Sequence, residues 1–383
     1  MTHDGINYLD HSATSWPKPP EVVAAVVDAL ERAGGNPHRS AHSLALAASR
    51  VILEARSSVA SLLGVPDSRD IAFVPGCTYG LNLALKGILR HGDRVVVSSV
   101  EHNAVSRPLA RLAASGVKII TVRADTTGLV DPDEMEAAVM GGATKAVVCQ
   151  HASNVTGAIQ SVGDLADIAH AAGAVLIVDG AQAVGHIKVD LTALGADVYV
   201  ASGHKGLLGP QGVGVLYIAP GLEVRELVQG GSGGHSEGDT MPLERPDRYE
   251  AGTPNTPAIA GLGAAARVLA VSLDGLLAEE NRLTRRLMEG LSAIPGLRIL
   301  GPGIGLERVP VVSVVHTSVD ADRIAFELDS RYRIAVRAGL HCAPRAHETV
   351  GTLECGAVRF GIGRGVTEGD IDAAVTAMGE ICA

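Results

Sequence analysis

Residues 175–218, VLIVDGAQAVGHIKVDLTALGADVYVASGHKGLLGPQGVGVLYI, carry the pattern that decides the fold. Three apolar runs of strand length lie in this region: AVLIVD (174–179), ADVYVAS (196–202) and VGVLYI (213–218). They are rich in β-branched residues, which suit a pleated, packed surface. None alternates cleanly between apolar and polar, and a strand that is apolar on both faces is buried on both faces. Upstream, IAFV (71–74), RVVVSS (94–99), VKIITV (117–122) and KAVVCQ (145–150) repeat the pattern, with candidate helices at 78–90, 103–115, 131–140 and 163–172. Alternation of such strands with helices predicts an α/β protein built on a mostly parallel sheet covered on both faces.

After Ile218 the texture changes. Residues 229–256, QGGSGGHSEGDTMPLERPDRYEAGTPNT, are rich in Gly, Pro and charge, and a loop of this length inside an enzyme is usually functional or mobile. A long helix is expected at about 257–290, then strands near 297–300 and 309–316, a helix at 320–330, strands at 333–337 and 357–361, and a last helix from 367. Two more helices are expected upstream, at 20–33 and 43–63. The organisation read from this is a large domain over 34–256 and a smaller C-terminal α/β domain over 257–383 that includes the connecting helix. The segment 1–20 and the helix 21–33 are expected to pack with the smaller domain.

The 383 residues, 46% hydrophobic and 19% charged, suit a soluble protein with a large core. A net charge of -10 argues against nonspecific binding to nucleic acid or an anionic membrane. The start, MTHDGINYLDHSATSWPKPP, lacks the basic and then apolar run of a secretory signal, and no uninterrupted apolar stretch approaches spanning length. Cys77, Cys149, Cys342, Cys355 and Cys382 match no zinc motif or disulfide framework. A reducing, cytoplasmic setting without a bound metal follows as the expectation.

In open α/β sheets ligands gather at the carboxyl ends of the strands, so polar residues that break the apolar pattern there are the candidates. In VYVASGHKGLLGPQGVG a strand ends in Ser202, His204 and Lys205 before a glycine-rich turn. A lone lysine is usually a surface charge, but a desolvated one forms Schiff bases readily. Asp179 ends a central strand in VLIVDGAQA, and a buried carboxylate needs a partner. The protonated pyridine nitrogen of pyridoxal 5'-phosphate (PLP) would be one, and capping of the next helix is the alternative. Gln182 is placed to meet the phenolic oxygen of such a ring. In PGCTYGLN, Cys77 and Thr78 open a helix whose free N–H groups suit a phosphate. His102, in SSVEHNA, would stack on a flat ring or cap a helix, and Asn154, in HASNVTG, would contact ring or substrate. The glycines of GPQGVG lead into a strand rather than a helix, which argues against a dinucleotide fingerprint.

RAGLHCAPRAH, residues 337–347, bears on reaction type. Cys342 lies in a polar loop, where His341 and nearby arginines would favour its thiolate. Arg359, in the strand AVRFGIG, suits bidentate capture of a carboxylate. Cys149, within a strand, and the terminal Cys382 read as inert.

Taken together, NYLDHSATS, NPHRSAHSLA, SVEHNA, SNVTG, VDGAQA, SGHKGLLGPQGVG, YEAGTPNTPAI, RAGLHCAP and VRFGIG resemble, nearly end to end, the class V aminotransferase family and within it the cysteine desulfurases. The resemblance implies PLP fold-type I, as in aspartate aminotransferase, and a homodimer. It implies that Lys205 forms the Schiff base, Asp179 partners the pyridine nitrogen and His102 stacks on the ring and takes part in proton transfer, with Gln182 and Asn154 at ring or substrate. Thr78, Ser202 and His204 would contact the phosphate, with Cys77 where the family has threonine. Thr253 would reach the phosphate of the partner subunit's cofactor. Arg359 would hold the substrate carboxylate, with Asn154 and His341 close by, and Cys342 would accept sulfur from L-cysteine as a persulfide, leaving L-alanine. Only 16 residues separate Cys342 from Arg359, which resembles the short loop of group II desulfurases (SufS/CsdA-like), and APRAHETVGT resembles an outlying bacterial branch. GIGRGVT departs from the family's aromatic-Asn-Thr. A sulfur-acceptor protein or thiol is implied as partner. L-selenocysteine as substrate, a PLP-dependent C–S lyase and a non-catalytic sulfur-relay protein are the alternatives.

Overall fold

The computed structural model describes residues 5–37, 42–233 and 238–383. Residues 38–41 of NPHRSAHSLA and 234–237 of the Gly-rich loop lie outside the described residues. In chain order the strands are β1 (Asn7–Tyr8), β2 (Ile71–Val74), β3 (Arg94–Ser98), β4 (Lys118–Val122), β5 (Ala146–Gln150), β6 (Val175–Asp179), β7 (Val198–Ser202), β8 (Gly214–Ile218), β9 (Leu297–Ile299), β10 (Val311–His316), β11 (Ile334–Ala335), β12 (Arg337–Gly339) and β13 (Ala357–Gly361).

Strands β2 to β8 form one sheet in the order β2-β8-β7-β6-β5-β3-β4. Strands β3 to β7 pair in parallel, and β8 runs against both its neighbours. This is the mixed, mostly parallel sheet expected of the fold class. Successive residues of a strand face opposite sides, and the two faces build two cores. Val148, Ile177 and Val200 pack with Leu81, Leu85 and Leu109 of the helices Cys77–Ile88 and Asn103–Ala113. Val147, Val178 and Tyr199 belong to the other core, with Ile52, Val59 and Leu165. Strand β4 is different: it is the sheet's outer edge and only Val122 is fully buried, so the apolar run VKIITV does not mean burial on both sides.

The second sheet, β12-β13-β10-β9, is antiparallel throughout. Its core includes Leu283, Leu287, Val312, Val358, Phe360 and Met378. The N-terminal segment joins it. Strand β1 pairs parallel with β11, Asp10 bridges Gly361, and Leu9 is buried in the same core. The sequence reading puts helix 21–33 with the unit 257–383, which includes the connecting helix, and the contact is with that connecting helix rather than with the second sheet. The helix, Pro20–Arg32, lies along Thr256–Ser292 and Ser43–Leu62, with Val22 in the core of the large sheet. The cause is the small-residue start of the long helix. A Cβ on Gly261 would lie 2.8 Å from Val26, and one on Gly263 would lie 2.6 Å from Ala55, so two helices pack closely against it there.

The expected strand 333–337 splits in two. Arg333 is left-handed (φ 55) at the end of helix Ala321–Tyr332, after which β11 serves β1 and β12 serves β13. The long helix Thr256–Ser292 is long and apolar enough by composition to cross a membrane, which the sequence reading does not anticipate, but half of its apolar window is buried within this protein.

Candidate active site

Strands β2, β3, β5, β6 and β7 all point their carboxyl ends at one cavity of about 670 Å³, within the range of small-molecule sites. Cys77, Thr78, His102, Asn154, Asp179, Gln182, Ser202, His204 and Lys205, all named from the sequence, line it. Lys205 keeps a little surface toward the cavity, and burial pushes its ammonium pKa down, with the Asp179 carboxylate opposing. A lysine so placed has access to its free-amine form. The helix Cys77–Ile88 starts at Gly76 with no side-chain cap, leaving its first N–H groups for an anion.

His102 both caps a helix and lines the cavity. Its Nδ1 accepts from Ala104 N at 3.0 Å and caps the helix Asn103–Ala113, while the ring lines the cavity. Burial lowers its pKa to about 4, so at neutral pH its one proton sits on Nε2. Asp179 likewise accepts from Ala181 N at 3.0 Å and lines the cavity. His204 is lowered to about 4 by burial and then by Lys205. It offers an anion a hydrogen bond rather than a charge.

Cys77 needs correction. The sequence places it at the phosphate, but its thiol is 3.4 Å from Asp179 Oδ1 and 3.5 Å from the Val200 carbonyl. Burial, with Asp179 adding, raises its pKa well above the thiol range, so it remains an S–H donor to the carboxylate.

The Cys342 loop comes from the small sheet and is hydrogen-bonded to one residue of the cavity wall, Asn154. Cys342 is exposed. His341 and Cys342 are both left-handed, φ 51 and 56, a conformation that costs a non-glycine residue about 1–2 kcal/mol. Two bonds hold them: Asn154 Nδ2 donates to the His341 carbonyl and Asn103 N to the Cys342 carbonyl, each at 2.8 Å. The loop is thereby tied to Asn154, which lines the cavity, and to Asn103, which follows His102 in the chain. Arg337 Nη2 lies 3.5 Å from Cys342 Sγ. His341 does not play the part read for it. Its ring is buried, both nitrogens face protein groups, and burial lowers its pKa to about 2, so it supplies neither charge to the thiolate nor a hand to substrate.

Arg359 is 1% exposed and stands one layer behind Asn154, donating to the Asn154 carbonyl at 3.2 Å and to Asp10 Oδ1 at 3.0 Å. Thr253 is exposed and lines no part of its own chain's cavity.

Sequence reasoning missed Gln150, Tyr79, Asn82 and Gln211 on the cavity wall. Gln150 ends β5 as Asp179 ends β6, so the signal that found the aspartate applies to it too. Also missed is Glu101, which is buried. Its Oε1 accepts from Ser98 Oγ and from Gln150 N at 2.9 Å, and its Oε2 has no partner. Burial, with the charge of Asp179 adding, pushes this carboxyl up to about 8.

The residues present fit PLP. Asn154 Oδ1, Gln182 Oε1, Gln150 Nε2 and His204 Nδ1 are buried without partners around the cavity, as a flat polar ligand requires. An acid, a lysine and an uncapped helix start stand where ring nitrogen, aldehyde and phosphate would be held. Among the described residues no cluster suits a metal ion.

Comparison with known proteins agrees. The Aminotransferase class-V family matches residues 7–374. A probable cysteine desulfurase of Methanothermobacter thermautotrophicus is 35% identical over 358 residues, covering 90% of this chain and 88% of the relative. The apo cysteine desulfurase of Thermococcus onnurineus NA1 superposes with a TM-score of 0.92 at 32% identity, covering 99% of this chain and 95% of that one. The cysteine desulfurase CsdA of Escherichia coli, solved with an S-sulfonic acid, gives a TM-score of 0.88 at 30% identity with the same coverage. The chain thus belongs to the PLP-dependent class-V aminotransferase family.

Proposed function

We propose that this enzyme is a cysteine desulfurase that takes sulfur from L-cysteine onto Cys342 and releases L-alanine. The observation that carries this reading is the exposed Cys342, held left-handed on a loop that is hydrogen-bonded to Asn154 of the cavity that contains Lys205 and Asp179. Transamination gives such a thiol no task. When bound, PLP supplies an electron sink that makes the substrate Cα–H acidic.

Lys205 Nζ, lowered in basicity by burial, is the base for that proton. Asp179 Oδ1, held by Ala181 N and Cys77 Sγ, is fixed in place on the cavity wall, where it would meet the ring nitrogen. The substrate carboxylate is assigned to the Asn154 side, where the Arg359 guanidinium lies behind the wall. Cys342 Sγ, 3.5 Å from Arg337 Nη2, attacks the substrate sulfur. The Cβ–S bond breaks with its electron pair going to carbon, which takes up a proton and ends as the methyl of alanine. The new S–S bond leaves a persulfide on Cys342 for an acceptor thiol. His102 Nε2–H is the nearby proton carrier.

A homodimer is part of the proposal. Val23, Val27 and Leu30 of the first helix and Leu44, Leu46 and Leu53 of the second are about half exposed, more apolar surface than these helices would leave to water. Thr253 is exposed and lines no part of its own subunit's cavity. All five cysteines are free, which fits a reducing, cytoplasmic setting.

The test is alanine and sulfide release from L-cysteine with a reductant, wild type against Cys342→Ala. Equal amounts from wild type and none from the variant are expected. Full activity in the variant would instead make the protein a β-eliminating C–S lyase.

A further inference from the structure

Behind Cys342 runs a line of buried polar groups that the proposed chemistry does not use. His341 Nε2 lies 3.2 Å from the Arg337 carbonyl, and His341 Nδ1 lies 3.2 Å from His347 Nε2. His347 Nδ1 lies 2.8 Å from Thr352 Oγ1. His341, His347 and Thr352 are 2%, 0% and 1% exposed. The two rings stack, with centroids 5.4 Å apart.

With both rings neutral, only one arrangement of protons satisfies this line. A carbonyl can only accept, so His341 donates from Nε2 to Arg337. A neutral His341 then accepts at Nδ1, and His347 must donate from its Nε2. That leaves His347 Nδ1 as an acceptor for the Thr352 hydroxyl. Every group is paired once both rings are neutral, and burial holds their pKa values near 2 and 4. Two stacked imidazoles in a dry core have no packing advantage over two leucines, so the line calls for another explanation.

Its end points supply one. The line begins on the loop that leads into β13, crosses the helix Pro344–Thr349 and ends on β12 at Arg337, whose guanidinium touches Cys342 Sγ. A backbone bond from Thr352 N to the His347 carbonyl, at 2.8 Å, doubles its first step. Asn154 and Asn103 hold the carbonyls of the left-handed pair from the large-sheet side. The His341 ring is the matching anchor on the small-sheet side. We propose that His347, acting through His341, is a positioning residue for Cys342: the directed chain from Thr352 through both histidines to the Arg337 carbonyl locks the left-handed backbone of His341 and Cys342 against Asn154 of the cavity wall. The kinetic consequence rests on the reading of Cys342 as sulfur acceptor; the geometry does not.

Three variants of the PLP-loaded enzyme test this. His347→Leu removes donor and acceptor together, His347→Gln keeps an amide that can do both, and Thr352→Val removes only the terminal hydroxyl. With His347→Leu, kcat for L-cysteine is expected to fall about ten- to hundredfold, as a misplacement of about 1 Å brings, with KM changed by no more than about twofold. His347→Gln should recover to within about threefold of wild type. In ¹⁵N-histidine spectra of the wild type, both rings should be neutral Nε2–H tautomers, identified by the signal each variant loses or shifts. A folded His347→Leu with wild-type kcat, a Gln variant as impaired as Leu, or an Nδ1–H tautomer on His341 would each overturn the proposal. If His347→Leu does not fold, Thr352→Val decides: reduced kcat with unchanged KM supports the chain, and wild-type kcat refutes it. Cys342→Ala run alongside separates the two ideas. Its full activity would sink the sulfur-acceptor reading, while the tautomers still judge the chain.

Discussion

Replacing Glu101 by glutamine is expected to make the enzyme's stability less sensitive to alkali. The side-chain amide can keep Oε1 as acceptor for Ser98 Oγ and Gln150 N and put its NH2 where the unpartnered Oε2 stands, so it copies the protonated acid. The folded carboxyl is pushed up to about 8 from an ordinary 4.5. A carboxyl raised in this way contributes stability that is full below the unfolded pKa and is lost as pH rises through the folded one. At about 1.36 kcal/mol per unit, the wild type should lose roughly 4 kcal/mol between about pH 5 and pH 9 that Glu101→Gln retains. The assay is urea unfolding at several pH values, with cofactor and subunit concentrations fixed because both shift apparent stability. The gap between variant and wild type should widen steadily toward alkaline pH in the variant's favour. A gap of constant size would mean that Glu101 is already ionised in the fold, and the reasoning would fail.

Two further outcomes follow from close contacts. Gly185 has φ +91, and a Cβ there would lie 2.0 Å from the Gly206 carbonyl. Gly185→Ala should therefore destabilise by about 2–5 kcal/mol and displace Lys205; retention of PLP absorbance through dialysis at the wild-type level would contradict this. Arg56 forks onto Glu250 at 2.6 and 2.9 Å and also donates to the Ile71 carbonyl, with the pair 6% and 11% exposed. Arg56→Met leaves that carboxylate unpaired and should cost about 3–5 kcal/mol in urea unfolding, partly restored by adding Glu250→Gln.

Much of this was legible in the sequence because the large sheet writes its burial directly into composition. Strands β5 to β8 are apolar on both faces, and each polar residue that breaks the run at a carboxyl end, Asp179 and Ser202 among them, lines the cavity. Short elements were not legible. Strand β1 is two residues long and exists only because β11 offers it an edge. The split between β11 and β12 turns on one left-handed arginine, and the helix Pro344–Thr349 is too short to show a period. Side-chain direction was the other limit. Nothing in PGCTYGLN says that the Cys77 thiol turns to Asp179 rather than outward, and nothing in RAGLHCAPRAH says that His341 faces His347 rather than Cys342. Both follow from tertiary neighbours more than 90 residues away or from backbone torsions, neither of which a local pattern encodes.

The pairing of β1 with β11 bears on how this protein is made. Asn7 and Tyr8 find their partners at Ile334 and Ala335, and Asp10 finds its own at Gly361. At about 5–20 residues per second, these early residues leave the ribosome roughly 15–65 s before the strand they complete exists. The large sheet, closed by residue 218, can assemble in that interval, but the small sheet must capture a segment that has waited on the far side of it. Production of active enzyme should thus depend on whether that waiting stretch is kept from aggregating, and a helper that shields residues 5–15 would raise yield without touching the active site.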